Sequence, residues 1–144
     1  MESTMHKPAV AADSGLKANI IIYWIGTLLF CLQIGFTAYA QLRLPQVADM
    51  FRHLGFPDYF RAELSSAKII GVVVLIAPVS VRLKEWAHAG FAITLVSALI
   101  AHFSLGDGPE VWGWAAGTGA LWGIAYYSWR RLQHLSRPLI EPQT

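Results

Sequence analysis

The sequence predicts an all-α protein, a four-transmembrane-helix bundle with a short amphipathic interfacial helix between helices 1 and 2. Two observations predict this fold class. Four long apolar stretches take up most of the 144 residues, and a helix needs about 20 apolar residues to cross the hydrocarbon core of a bilayer. Hydrophobic residues make up 55% of the chain and charged residues only 14%, whereas soluble domains carry about 25% charged residues. A soluble bundle of unusually apolar helices is the alternative.

The predicted organisation has three parts. Residues 1–17 form a polar N-terminal tail, residues 18–130 the four-helix membrane domain, and residues 131–144 a polar C-terminal tail. The predicted spans are residues 19–40, 62–81, 86–105 and 111–129. The continuous apolar run of span 2 is short, so we expect its helix to include the polar residues before it and Pro78 near its end.

The connection between spans 1 and 2 is the only long one, and it carries a helical pattern. Pro45 suits the first position of a helix, and Gly55 is well placed to end it. Apolar residues recur between them at helical spacing, at Val47, Met50, Phe51 and Leu54. We expect a short helix that lies flat on the outer membrane surface, either as a lid over the bundle or as a plain connector.

Lysines and arginines are distributed unevenly between the two ends of the predicted spans. One side has seven, in the two tails and the second connection: Lys7, Lys17, Arg82, Lys84, Arg130, Arg131 and Arg137. The other side has three, Arg43, Arg52 and Arg61. Cytoplasmic loops carry the excess of positive charge, so the sequence predicts a multi-pass protein of the cell (inner) membrane with both termini cytoplasmic. Topology thus accounts for the basic residues, and no nucleic-acid partner is expected.

Span 4 carries glycines spaced four residues apart, as Gly113/Gly117 and Gly119/Gly123. Such pairs let helix backbones approach closely in lipid. We expect close packing within the bundle, and a homo-oligomer as the other use of these glycines.

Polar residues fall at similar depth in the outer half of three spans. The candidates for cofactor binding are Gln33, Thr37, Lys68 and His102, and the candidates for catalysis are His102, Lys68 and Glu63. Polar groups in hydrocarbon are costly, so they usually face a bundle interior or a wet cavity. The sequence therefore predicts a polar pocket that opens outward. Two alternatives stay open: Lys68 snorkels to the headgroups, and Gln33 and Thr37 merely hold helices together.

No cofactor is firmly implied by these residues. A quinone fits the predicted pocket, because a cation and an imidazole can both hydrogen-bond a quinone carbonyl. Haem is disfavoured: His88 and His102 have a spacing known from haem-binding helices, but no second span carries a histidine. The sequence contains no pattern with metal-ligand spacing, no serine nucleophile motif and no phosphate-binding loop.

Several segments resemble one known family. They are LGFPDYF at residues 54–60, AKIIG at 67–71, LKEWA at 83–87 and AH at 101–102 before GDG at 106–108. Over about residues 20–130 the chain resembles the DoxX-like membrane proteins, a mostly bacterial family of small four-helix membrane proteins. Named relatives occur as membrane subunits of a thiosulfate:quinone oxidoreductase or in redox complexes. The resemblance implies that Glu63, Lys68, Glu85 and His102 lie where the polar motif residues of the family lie.

Three functions are compatible with these features, and whether the protein is an enzyme stays open. The first is a membrane subunit or accessory of an oxidoreductase, quinone-linked and docked to a soluble or membrane redox partner protein. The second is a stand-alone membrane enzyme that acts on a small apolar substrate, with His102 or Glu63 as the acid–base group. The third is a non-catalytic membrane or transport component. In each case the lipid bilayer is the expected surrounding.

Overall fold

A computed structural model describes residues 7–136 and the side chains of residues 14–136. The described residues form five helices, and the all-α prediction is confirmed. The helices are α1 (Lys7–Arg43), α2 (Pro45–His53), α3 (Asp58–Ile76), α4 (Val81–Leu105) and α5 (Pro109–Ser136). Predicted spans 1, 3 and 4 lie entirely within α1, α4 and α5, and α3 contains most of span 2.

Helix α1 begins at Lys7, well before the predicted start of span 1. The predicted polar tail is therefore helical from residue 7 onward. A proline is tolerated in the first turn of a helix, as Pro8 is here, and the alanines that follow it are the best helix formers. Residues 1–6 and 137–144 lie outside the described part of the chain. Of the predicted C-terminal tail, residues 131–136 continue α5.

The predicted end of span 2 is wrong. Helix α3 ends at Ile76 and does not continue through Pro78 to residue 81. Ala77 has an extended backbone, with φ −66° and ψ 151°. The ring of a proline clashes with a helical residue before it, so Ala77 leaves the helix.

Helix α4 begins earlier than predicted because Ser80 caps it. The Ser80 hydroxyl accepts a hydrogen bond from the Leu83 backbone N–H at 3.3 Å, as serine commonly does at a helix start. One turn later, the Lys84 ammonium donates to the Leu75 carbonyl at 3.0 Å. That carbonyl belongs to the last turn of α3, where carbonyls have no partner within the helix. Lys84 therefore ties the start of α4 to the end of α3.

Helix α2 has the bounds that its sequence predicts. Pro45 is its first residue, and Gly55 follows its end with a positive φ of 79°. The N–H of Gly55 donates to the Arg52 carbonyl and that of Phe56 to the Phe51 carbonyl, both at 2.9 Å. This pair of bonds is the Schellman arrangement that closes many helices.

The four long helices pack as a closed ring. Helix α1 contacts α3 and α5, and α4 contacts the same two helices, while α2 packs on α1 and α3. The core between them contains Phe30, Ile34, Leu75, Phe91 and Ala125, together with Cys31. Helix α2 lies at one end of the ring, next to the end of α1, the start of α3 and the α4–α5 turn.

The outer surface of the bundle is strongly apolar. Leu32 and Trp86, for example, are 73% and 74% exposed. Soluble monomers rarely expose large contiguous apolar patches. Two helical segments of the described chain are long and apolar enough to cross a membrane, Ser14–Arg43 and Val81–Leu105. Length and composition thus support membrane crossing by α1 and α4.

Close approach of helix backbones occurs at a different glycine from those predicted. A Cβ added at Gly113, Gly117, Gly119 or Gly123 would meet nothing within 4 Å. The expected packing on these glycines is therefore absent from the described residues. At Gly26 of α1, by contrast, a Cβ would lie 3.6 Å from the backbone of Ala125 in α5. The small residue at this α1–α5 contact is therefore Gly26 of α1.

Candidate functional site

A cavity of about 560 Å³ lies at the α2 end of the bundle and is lined by all five helices. Its volume is within the usual range for small-molecule sites. Most of the lining is apolar, and α2 together with the residue after it contributes one wall of apolar side chains: Val47, Met50, Phe51 and Leu54. Polar groups line the cavity at a few places, which include Thr37, Gln41, Lys68, His102 and Thr118. The apolar face of α2 is therefore what covers this cavity.

Lys68 is half-buried on α3 and lines the cavity. Its ammonium makes no hydrogen bond or ion pair with any described residue. Removing a charged group from water is costly unless the group is paired. Lys68 is thus a cation without a partner beside an apolar space.

His102 lies in the last turn of α4, and its side chain is only 11% exposed. Its Nδ1 is 2.7 Å from the Asp107 Oδ2. The chain reverses at Gly106, which has a φ of 72°, and the Asp107 N–H then donates to the His102 carbonyl at 3.1 Å. This is again the Schellman arrangement, and it returns Asp107 to the histidine five residues before it. The turn at the end of α4 therefore brings the Asp107 carboxylate within hydrogen-bond distance of His102.

His53 completes a chain of three polar side chains that sequence analysis did not find. Its Nε2 is 3.1 Å from the Asp107 Oδ1, so one carboxylate joins two imidazoles. Among the described residues, α2 packs on α1 and α3, and the His53–Asp107 bond links it across the cavity end to the α4–α5 turn. Hydrogen bonds to His102 and then to His53 hold the pKa of Asp107 below its ordinary value. The only sequence signal was that both residues fall on the same side of the predicted membrane.

The remaining sequence candidates lie in different places. Thr37 lines the cavity and donates to the Ile34 carbonyl at 2.9 Å. The Gln33 side chain donates to the Thr118 hydroxyl at 3.3 Å, which joins α1 to α5. Glu63 is exposed and does not line the cavity. The structure therefore brings Thr37, Lys68 and His102 to one cavity, with Gln33 one layer behind it and Glu63 outside.

A second polar group, also missed from sequence, fixes the start of α3. The Arg61 guanidinium donates to the Gln41 carbonyl, which belongs to the last turn of α1 and lacks a partner within that helix. The Ser65 hydroxyl donates to the Gln41 side-chain oxygen at 3.0 Å. Gln41 lines the cavity, so these bonds position one of its polar walls.

The opposite end of the bundle is packed with rings. His88 is buried, and its ring centroid lies 5.1 Å from that of Tyr126 and 5.2 Å from that of Trp129. Its Nδ1 has no hydrogen-bond partner among the described residues. Outside this cluster, Glu85 accepts a hydrogen bond from Arg130 at 2.6 Å, and both side chains are nearly half exposed. Within the described chain, no group of three or more His, Cys, Asp or Glu side chains could hold a metal ion.

Comparison with known protein families gave a match. A family model described as the DoxX-like family matches residues 25–125. The matched region runs from α1 into α5 and includes every cavity-lining residue named above. Comparison with curated proteins and with solved structures gave no match. The match covers more than half of the chain, and the chain therefore belongs to the DoxX-like family of membrane proteins.

Proposed function

We propose that α1, α3, α4 and α5 all cross the inner membrane and that both termini are cytoplasmic. The four long helices lie side by side in a closed ring, and the apolar outer surface of this ring suits lipid. The excess of lysine and arginine at the tails and the α3–α4 connection supports the orientation. In this arrangement α2 and the cavity lie at the outer side.

Within this arrangement the protein acts as a membrane subunit or accessory of an oxidoreductase, and its cavity binds the head group of a quinone. The observation that carries this proposal is the unpartnered Lys68 ammonium on the wall of a mostly apolar cavity. A quinone head is a flat apolar ring whose carbonyl oxygens accept hydrogen bonds, and an ammonium offers three donors. Electrons come from a soluble or membrane redox partner protein.

His102 supplies the second polar contact and a route for a proton. With Nδ1 donating to Asp107, Nε2 is the ring nitrogen left for a ligand. A neutral imidazole accepts a proton there, and an imidazolium donates one. His102 can therefore exchange a proton with a quinone oxygen while Asp107 keeps the ring in a fixed orientation.

Copurification tests this proposal with matched variants. The protein is purified in mild detergent, and its bound small molecules are extracted and identified by mass analysis. We expect a quinone with the wild-type protein and with the control Arg131→Met, which removes an exposed cation of α5 that does not line the cavity. Lys68→Met should lose the quinone. A wild-type protein without quinone, or equal recovery from Lys68→Met, contradicts the proposal.

A stand-alone membrane enzyme is the second candidate, and the His102–Asp107 pair favours it. A carboxylate 2.7 Å from the imidazole is the arrangement by which many enzymes orient a general base. Glu63, the other sequence candidate for acid–base chemistry, is exposed and away from the cavity. Incubating the purified protein alone with a total lipid extract distinguishes the two roles. Only an enzyme forms a product, and His102→Asn should then abolish it.

A further inference from the structure

A second concave surface lies outside the helix ring. It is a groove of about 360 Å³ between α3 and α4. Ile70 of α3 and Trp86 of α4 line it and are 64% and 74% exposed. Apart from Lys68 and Thr94, its lining is apolar. With α3 and α4 crossing the membrane as proposed above, this groove opens to the lipid.

The groove and the cavity are direct neighbours. Leu64, Lys68, Phe91 and Thr94 line both of them. Side chains of α3 and α4 therefore form the boundary between the groove and the cavity. One of these side chains is the unpartnered cation, Lys68. Lys68 can contact a ligand on either side of this boundary.

Phe91 forms the other main part of the boundary, and it depends on a glycine. A Cβ at Gly71 would lie 2.5 Å from the Phe91 Cζ, so the ring fills the space that a side chain at residue 71 would take. The ring also meets Phe30 edge to face, with 5.1 Å between centroids. The Phe91 ring and the flexible Lys68 side chain are thus two parts of the boundary between the groove and the cavity.

We propose that the cavity and the groove are two halves of one site for a lipid-dissolved amphiphile. Its head, which carries hydrogen-bond acceptors, lies in the cavity at Lys68, and its extended apolar tail passes between α3 and α4 into the groove. This inference rests on the proposed function and narrows the ligand to a long-tailed quinone. The acceptor oxygens complement the unpaired ammonium, and the tail complements the apolar groove. Such a ligand enters from the bilayer without breaking the His53–Asp107 link.

Gly90 allows the groove to be filled without disturbing the bundle. It is exposed and lines the groove, and a Cβ there would meet nothing within 4 Å. Gly117 on α5 is a matched control, because it is also exposed, also has nothing within 4 Å, and lines neither space. Gly90→Leu and Gly117→Leu both replace a helical glycine by a better helix former. They differ in whether the new side chain occupies the groove.

The experiment measures binding of two probes to the full-length protein in lipid nanodiscs. One probe is a decyl-tailed benzoquinone, and the other is a dimethoxybenzoquinone without a tail. We expect Gly90→Leu to weaken binding of the tailed probe by about tenfold or more, since several buried methylenes are lost from the contact. The tailless probe should bind unchanged, and Gly117→Leu should match the wild type. Because every variant is measured in the same lipid, partition of the probe into the bilayer cancels.

The outcomes separate the two proposals. If Gly90→Leu binds both probes like the wild type, or loses both equally while eluting as the same folded species, the tail does not lie in the groove. In both cases the wild-type protein still binds a quinone, so the proposed function stands. Unchanged binding leaves the head in the cavity, whereas equal loss of both probes places the head itself in the groove. If the wild-type protein binds neither probe, the proposed function fails, and the tail site fails with it.

Discussion

His88 and His102 lie on the same helix and are both buried, 2% and 9% exposed. The two imidazoles nevertheless contact different kinds of groups. They are 14 residues apart, roughly 21 Å along the helix axis. His102 contacts a carboxylate at 2.7 Å and lines a cavity. His88 contacts aromatic rings, and its Nδ1 has no partner among the described residues.

Buried polar groups thus occur in two different settings in this protein, beside an open cavity and among packed rings. At the His102 end, hydrogen bonds from α2 and the α4–α5 turn hold polar groups around an open space. At the His88 end, Trp122, Tyr126 and Trp129 fill the space around the imidazole. We infer that His102 serves binding and that His88 serves packing. The two ends should therefore respond differently to the same substitutions.

Truncation of the packed histidine should have the largest effect on stability. We expect His88→Ala to lower the free energy of unfolding by about 2–4 kcal/mol, because it leaves a cavity among rigid rings. His88→Leu should recover most of this loss, since it restores volume and removes a buried nitrogen without a partner. Thermal unfolding in detergent measures both. Equal instability of the two variants would indicate that Nδ1 does have a partner, and the contrast with His102 would weaken.

Truncation of the cavity histidine should act on binding. His102→Ala should lower quinone affinity by about tenfold or more, which corresponds to a hydrogen bond worth about 1.5–3 kcal/mol in a charge-assisted site. His88→Leu is the control and should bind like the wild type. Equilibrium titration with a quinone analogue measures both proteins. Equal losses in the two variants would contradict the assignment of one histidine to binding and the other to packing.

Glu85 tests whether every polar residue singled out by the family resemblance lies at the binding end. It lies at the His88 end and pairs with Arg130 on the surface. Exposed ion pairs contribute little, so Glu85→Gln should change the free energy of unfolding by less than about 1 kcal/mol. Its quinone affinity should equal that of the wild type. A large loss of binding in a folded Glu85→Gln protein would extend the functional site to the other end of the bundle.

Acid should lower the stability of the protein through Asp107 at the His102 end, and this should be the smallest effect of the series. The pKa of Asp107 is lowered by its bonds to His102 and His53, so ionised Asp107 stabilises the folded state. This stabilisation is complete well above the ordinary value of 3.8, and it is lost progressively as pH falls through that value and then through the lowered pKa of the folded state. Between about pH 5 and about pH 3, the thermal midpoint of Asp107→Asn should therefore fall less than that of the wild type. The double variant His53→Ala/His102→Ala should resemble Asp107→Asn, and an unchanged acid response in both would show that these bonds do not form.

Sequence analysis predicted the features that depend on local signals. Pro45 and Gly55 define α2 because each has a backbone preference of its own. The predicted end of α3 is wrong because the prediction followed the length needed to cross a bilayer. Pro78 instead excludes the helical conformation at Ala77. Local signals therefore decide helix ends more reliably than the length needed to cross a bilayer.

The site was predicted in part, and the reason lies in helix geometry. Thr37, Lys68 and His102 do line one cavity. Glu63 lies five residues before Lys68, about 140° round the helix, and faces outward. The His53–Asp107 contact joins residues 54 apart in sequence and depends on how α2 lies against the bundle. No local pattern encodes that tertiary contact, which is why sequence analysis missed it.

The central claim is that the ligand lies at the His102 end, and photo-crosslinking tests it most directly. A photoreactive quinone analogue is bound to the full-length protein, activated by light, and located by mass analysis of the labelled peptides. We expect labels on α2, on α3 near Lys68 and on α4 near His102, and competition by unlabelled quinone should remove them. Labels confined to the rings around His88, or spread over the surface and insensitive to competition, would contradict the account.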